Sequence, residues 1–268
     1  MTAVKNELRR LLPLIRHERP LIHHMANDVT LTAVADATAA LGAAPIMSRS
    51  PDEVSELVKQ AAVVVINLGT PSRRTNDARL QAMREASYQK TPVVLDPVGV
   101  GGTEHRRELA QTLLKEGPVD IIRGNRGEIV ALAGGQGTVR GVDSVELDGA
   151  RVRETALQLS KQTGAVVAAT GRMDVVTNGI DWIELGGGHP MMSRSVGMGC
   201  LATSVMGCFR SVTSAFSATN LGLTLLSLAG ERAARQSAGT ANFRLNILDW
   251  LYRFSEAPEA VIGLDERI

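Results

Sequence analysis

The chain has 268 residues, 44% of them apolar and 3% aromatic, with a formal net charge of +1 at pH 7. Enough apolar residue is present for a sizeable core, while the near-zero charge gives no basic field for a nucleic-acid partner. No secretory leader follows the start "MTAVKNELRRLL", no apolar run reaches the roughly 18 residues of a membrane span, and two late cysteines make no disulfide framework, so a reducing cytoplasmic setting without membrane partners is expected.

In chain order, short β-rich runs alternate with helical patterns. Strands are expected at residues 20–25, 62–67, 92–98, 119–125 and 165–171. Helical patterns follow the first four, at 28–42, 76–90, 104–117 and 126–134. The fifth leads into two adjacent runs, 174–179 and 181–188, that pattern as an antiparallel pair at one end of a sheet. From Gly197 onward the chain reads as successive helices with breaks near Ser217 and Gly239. Continuous apolar strands alternating with helices predict a mainly parallel sheet buried between two helical layers. With neither linker nor repeat, residues 1–268 read as one three-layer α/β domain. Ligands of such sheets sit at the carboxyl ends of the strands, so the residues just after each strand carry the functional signal.

"VVLDPVGVGG" puts Asp96 at a strand end before a glycine-rich turn, where an acid can hold magnesium or simply shape the turn. "DIIRGNRGEI" puts Arg123, Asn125 and Glu128 at the next strand end. Arg123 offers a planar fork for phosphate oxygens. Asn125 and Glu128 have capping-box spacing, although Glu128 could instead join Asp96 at a metal. Thr170 and Gly171 end the fifth strand and either hold a phosphate or form a hairpin turn stabilised by Asp174. "SVGMGCLATSV" is the sharpest signal. Gly197 and Gly199 let the backbone turn close to a ligand, and the first amides of the following helix make an anion hole. Cys200 falls in that first turn, where the helix dipole is expected to lower a thiol pKa. Cys208, two turns deeper, reads as core. His23 and His24 point to opposite faces of their strand and so form no metal pair. His105 and His189 are isolated, and the run "PSRR" at 71–74 reads as a solvated loop.

Taken in this order and spacing, "MANDVTLTAVADATAALGAAPIMS", "LDPVGVGG", "RGNRGEI", "ATGRMDVV" and "GMGC" make the chain resemble the hydroxyethylthiazole kinases of the ribokinase-like superfamily over nearly its whole length. The resemblance implies a ribokinase-like fold without a separate lid, and ATP- and Mg2+-dependent phosphorylation of 4-methyl-5-(2-hydroxyethyl)thiazole in thiamine salvage. It also implies a homotrimer with active sites between subunits. By the same resemblance, Met47 and Gly197 contact the thiazole, with Asn27 close by. Arg123, Thr170, Asn125 and Gly199 belong to the ATP site, Asp96 and Glu128 organise magnesium, and Cys200 is the proton acceptor. Two departures stand out. Met198 replaces the family's usual threonine, which bears on nucleotide positioning, and Arg126 intrudes between Asn125 and Glu128. Kinases for hydroxymethylpyrimidine or pyridoxal, a nucleotide-hydrate dehydratase, and a nucleotide-binding protein without turnover share the scaffold as alternatives.

Overall fold

A computed structural model describes residues 2–135 and 148–261. Its centre is an eight-stranded sheet in the order β2-β1-β3-β4-β5-β6-β7-β8. The strands are β1 (Leu21–Met25), β2 (Ala44–Met47), β3 (Val63–Asn67), β4 (Val93–Asp96), β5 (Ile121–Asn125), β6 (Val166–Thr170), β7 (Asp174–Thr177) and β8 (Trp182–Leu185). β1 to β6 pair in parallel, and β7 and β8 close one edge antiparallel. Expectation and structure agree here: runs of valine and isoleucine make strands buried on both faces. Successive residues of β3 show it, since Val63 and Val65 join one core and Val64 and Ile66 the other.

The first core is covered by α1 (Thr2–Glu18), α2 (Leu31–Ala40), α8 (Met198–Arg210), α9 (Ala215–Arg235) and α10 (Thr240–Glu256). The second lies under α3 (Val54–Gln60), α4 (Arg73–Gln89), α5 (Glu104–Glu116), α6 (Arg126–Leu132) and α7 (Gly149–Thr163). Each fully buried leucine, valine or phenylalanine in these layers contributes about 1.5–3 kcal/mol.

Four elements were not expected from the sequence: α1, β2, α3 and α7. The helix break expected near Ser217 falls earlier, at residues 211–214, where the Ser214 side chain accepts from the Ser217 amide and caps α9. "PSRR" is not a loop throughout: Ser72 caps α4 through a capping box with Thr75, and Arg73 begins that helix. Among the described residues no helix is long and apolar enough to cross a membrane.

The placement of α8 matters most for function. Gly207 lets it lie close on the sheet, since a Cβ there would meet Val65 Cγ2 at 2.9 Å. At its far end Arg210 clamps Asp120 through Nε (2.9 Å) and Nη2 (2.6 Å) to the same oxygen. Its N-terminus is thereby held at the carboxyl edge of the sheet.

Candidate active site

Three neighbouring strand ends meet the start of α8. Asp96, the last residue of β4, is completely buried. Its Oδ2 accepts from Asn67 Nδ2 (3.0 Å) and Thr203 Oγ1 (3.1 Å). Its Oδ1 has no hydrogen-bond partner, and Arg123 Nη1 stands 3.9 Å away. Burial pushes the Asp96 carboxyl up to about 6, with Arg123 opposing and the charge of Glu128 adding to the rise. A buried carboxylate oxygen without a donor fits a cation, because magnesium takes one or two protein carboxylates and fills its shell with phosphate and water.

Glu128 realises the capping box. Its Oε2 accepts from the Asn125 amide (2.8 Å) while Asn125 Oδ1 accepts from the Glu128 amide (2.8 Å). Its Oε1 accepts from the Gly99 amide (2.8 Å), so Glu128 also binds the turn after Asp96 to the start of α6. A carboxylate oxygen retains a second lone pair after one such bond. Among the described residues no group of three or more His, Cys, Asp or Glu side chains forms a metal cage.

Arg123 and Thr170 lie side by side: Nη2 donates to Thr170 Oγ1 at 2.5 Å, and that hydroxyl donates to Gly124 O at 3.2 Å. The hairpin alternative is met as well, since the Gly171 amide donates to Asp174 Oδ1 (2.8 Å). Arg126 reaches across to Met173 O (2.9 Å).

Gly197 caps α8 at φ 93°, in the left-handed region where a side chain is strained, and a Cβ there would also meet Thr30 Cγ2 at 2.7 Å. Gly199 is needed for a different reason. A Cβ on it would stand 2.1 Å from Arg123 Nη1, so its absence is what lets the guanidinium lie against the helix start. The first intrahelical bond runs from the Leu201 amide to Gly197 O (2.9 Å), and the amides before it are the free donors of a helix start.

Cys200 Sγ lies within hydrogen-bond reach of Asn27 Nδ2 (3.4 Å) and Asn67 Nδ2 (3.3 Å). Its thiol departs from the expected direction. Burial, followed by the nearby charge of Asp96, pushes it up to about 11. Desolvation and a like charge outweigh the helix dipole here. Met198, the departure that bears on nucleotide positioning, is 8% exposed and part of the first core. Met47 ends β2 at the same carboxyl edge, half-buried against that core. Cys208 is buried, as expected. His23 and His24 are both buried, bonded to Ser48 O (3.0 Å) and Thr38 Oγ1 (2.8 Å) on opposite faces.

Asn67 and Thr203 were missed. A lone asparagine closing an apolar strand, "AVVVIN", was the available signal for the first; Thr203, three residues after Cys200 on an apolar helix, offered none.

Comparison with known proteins shows the family. The solved structure of hydroxyethylthiazole kinase from Pyrococcus horikoshii OT3 is 32% identical, covers 97% of this chain and 96% of its own, and superposes with a TM-score of 0.86. A Bacillus subtilis pyridoxal kinase, at 14% identity and TM-score 0.59 over 78% of this chain and 90% of its own, shares the fold alone. The class is thus a ribokinase-like kinase, a phosphotransferase acting on an alcohol group. A profile of the hydroxyethylthiazole kinase family matches residues 12–257. A curated hydroxyethylthiazole kinase from Methanocella arvoryzae is 41% identical over 246 residues, 91% of this chain and 92% of its own. The chain belongs to the hydroxyethylthiazole kinase family.

Proposed function

We propose that the chain transfers the γ-phosphoryl group of ATP to the primary hydroxyl of 4-methyl-5-(2-hydroxyethyl)thiazole, with Mg2+, in the supply of thiamine. The observation that carries the reading is the single hydrogen-bonded cluster of Asn27, Asn67, Cys200 and Asp96 at the N-terminus of α8, with Arg123 and Thr170 beside it.

The thiazole alcohol lies against Gly197 and Met47 near Asn27, its hydroxyl facing Cys200. Arg123, Thr170, Asn125 and the amides around Gly199 hold the ATP phosphates and meet the charge that develops in transfer. Asp96, through Oδ1, and Glu128 would hold magnesium, which when bound supplies charge neutralisation on the phosphates. The alcohol oxygen attacks the γ-phosphorus, its proton passes to the Cys200 thiolate, and ADP leaves with the bond electrons. A thiol titrating near 11 is rarely ionised at neutral pH, but its thiolate is a correspondingly strong base. No covalent cysteine intermediate is required.

A homotrimer with sites between subunits fits the apolar Val29 and Val196, exposed beside Asn27 and Gly197. Two unpaired thiols support a cytoplasmic setting. One continuous sheet with a core on each face supports reading residues 1–268 as one domain. The test is ATP turnover across hydroxyethylthiazole, hydroxymethylpyrimidine and pyridoxal. Turnover confined to the thiazole is expected; preference for another alcohol overturns the substrate, and nucleotide binding without turnover overturns the enzyme.

A further inference from the structure

We propose that Asn67 is a positioning residue that fixes Cys200 and Asp96 relative to one another, an inference that rests on the reaction proposed above. Asn67 ends β3 directly opposite Asp96 on β4 and is 4% exposed. Its Oδ1 accepts from the Gly69 amide (2.9 Å) and from Asn27 Nδ2 (3.0 Å). A backbone amide can only donate, so the Gly69 bond determines which end of the carboxamide is oxygen. Nδ2 must then face Asp96 Oδ2 (3.0 Å) and Cys200 Sγ (3.3 Å), one proton for each. All four bonding positions of the side chain are used.

Asn27 is oriented by the same logic. Its Oδ1 accepts from the Val29 (3.0 Å) and Thr30 (3.1 Å) amides, which turns its Nδ2 toward Asn67 Oδ1 and Cys200 Sγ. The sulfur therefore sits between two carboxamides that are each locked by backbone. The same clamp acts on Asp96. Asn67 and Thr203 both occupy Oδ2, which leaves Oδ1 as the oxygen without a hydrogen-bond partner. Among the described residues, Asn67 is the one side chain bonded to the proposed proton acceptor Cys200 and to Asp96 together.

Two substitutions separate positioning from space filling. Asn67→Asp keeps the shape and the acceptor for Gly69 and Asn27 but replaces both donated bonds with repulsion; Asn67→Ala only removes them. Coupled ATP turnover gives kcat and KM for each, and thermal melting confirms folding. The expected result is a fall in kcat of about 10-fold for the alanine variant and about 100-fold for the aspartate variant, with KM for ATP within about twofold in both. In a Cys200→Ala background the aspartate effect should shrink to less than about 10-fold. An aspartate variant as active as the alanine one, a change confined to KM, or a loss undiminished without Cys200 would each overturn the proposal.

The side-chain amide resonances of Asn67 in 15N-labelled protein give a readout independent of turnover. Cys200→Ala should move one Nδ2 proton signal and Asp96→Asn the other. Signals that move in neither variant overturn the positioning role. Signals that move as expected in a protein inactive on the thiazole leave that role standing and overturn the substrate instead.

Discussion

Gly199→Ala is a one-carbon change with a consequence that can be worked from the coordinates. The new Cβ would lie 2.1 Å from Arg123 Nη1 and 2.8 Å from its Cζ, where ordinary contact begins near 3.4 Å. The guanidinium must therefore retreat by 3.4 − 2.1 = 1.3 Å. Being the end of a flexible side chain it can do so without unfolding anything, and alanine favours a helix over glycine by about 0.5–1 kcal/mol. What is lost is the 2.5 Å bond to Thr170 and the 3.9 Å approach to Asp96. A charge-assisted bond contributes about 1.5–3 kcal/mol, so kcat/KM for ATP should fall about 10- to 100-fold. Coupled ATP turnover read beside the melting temperature is the assay. Native kcat/KM in Gly199→Ala, or a loss matched by a collapse in melting temperature, would refute the reasoning.

Three further outcomes are expected. Cys200→Ala should lower kcat with ATP affinity nearly unchanged, while Cys200→Asp keeps activity. A proposed proton acceptor whose thiol is pushed up to about 11 must ionise before it acts, so kcat should climb with pH above neutrality in the native chain and lose that climb in Cys200→Asp, as a pH–rate series will show. Met198→Thr restores the family's usual residue but empties a core position, so chemical denaturation should report a cost of about 2–3 kcal/mol with KM for ATP unchanged. His24 is buried neutral, with burial and then the charge of His23 lowering its pKa from 6.5 to about 3. The unfolded chain takes up that proton below 6.5 and the folded chain does not, so stability falls with pH between 6.5 and 3. At pH 5 the loss is about 2 kcal/mol, and melting curves of His24→Gln should show an acid limb flatter by that amount.

The strands buried on both faces were readable. The valine and isoleucine runs of β1, β3, β4, β5 and β6 and the glycine turn before α8 were placed within a few residues. β2 escaped because "APIM" is four residues long, carries Pro45, and is only half-buried at the sheet edge. α3 has only seven residues, too few to display a period. At the site, the strand ends at Asp96 and Thr170, the position of Arg123 near the end of β5 and that of Glu128 at the helix start after it were legible. Electrostatic direction at Cys200 was not. A helix start predicts a lowered thiol, but the raised one depends on burial and on Asp96, 104 positions earlier in the chain. Asn67 is of the same kind: three of its four bonds reach separate stretches of sequence, at Asn27, Asp96 and Cys200.

The central claim is phosphoryl transfer to the thiazole alcohol, and 31P NMR of the protein with Mg2+, ATP and hydroxyethylthiazole tests it most directly. A phosphomonoester resonance should grow as the γ-phosphate resonance of ATP declines, with ADP formed in equal amount, and both changes should require the thiazole. ADP accompanied by inorganic phosphate, or an ATP spectrum that does not change, would contradict it.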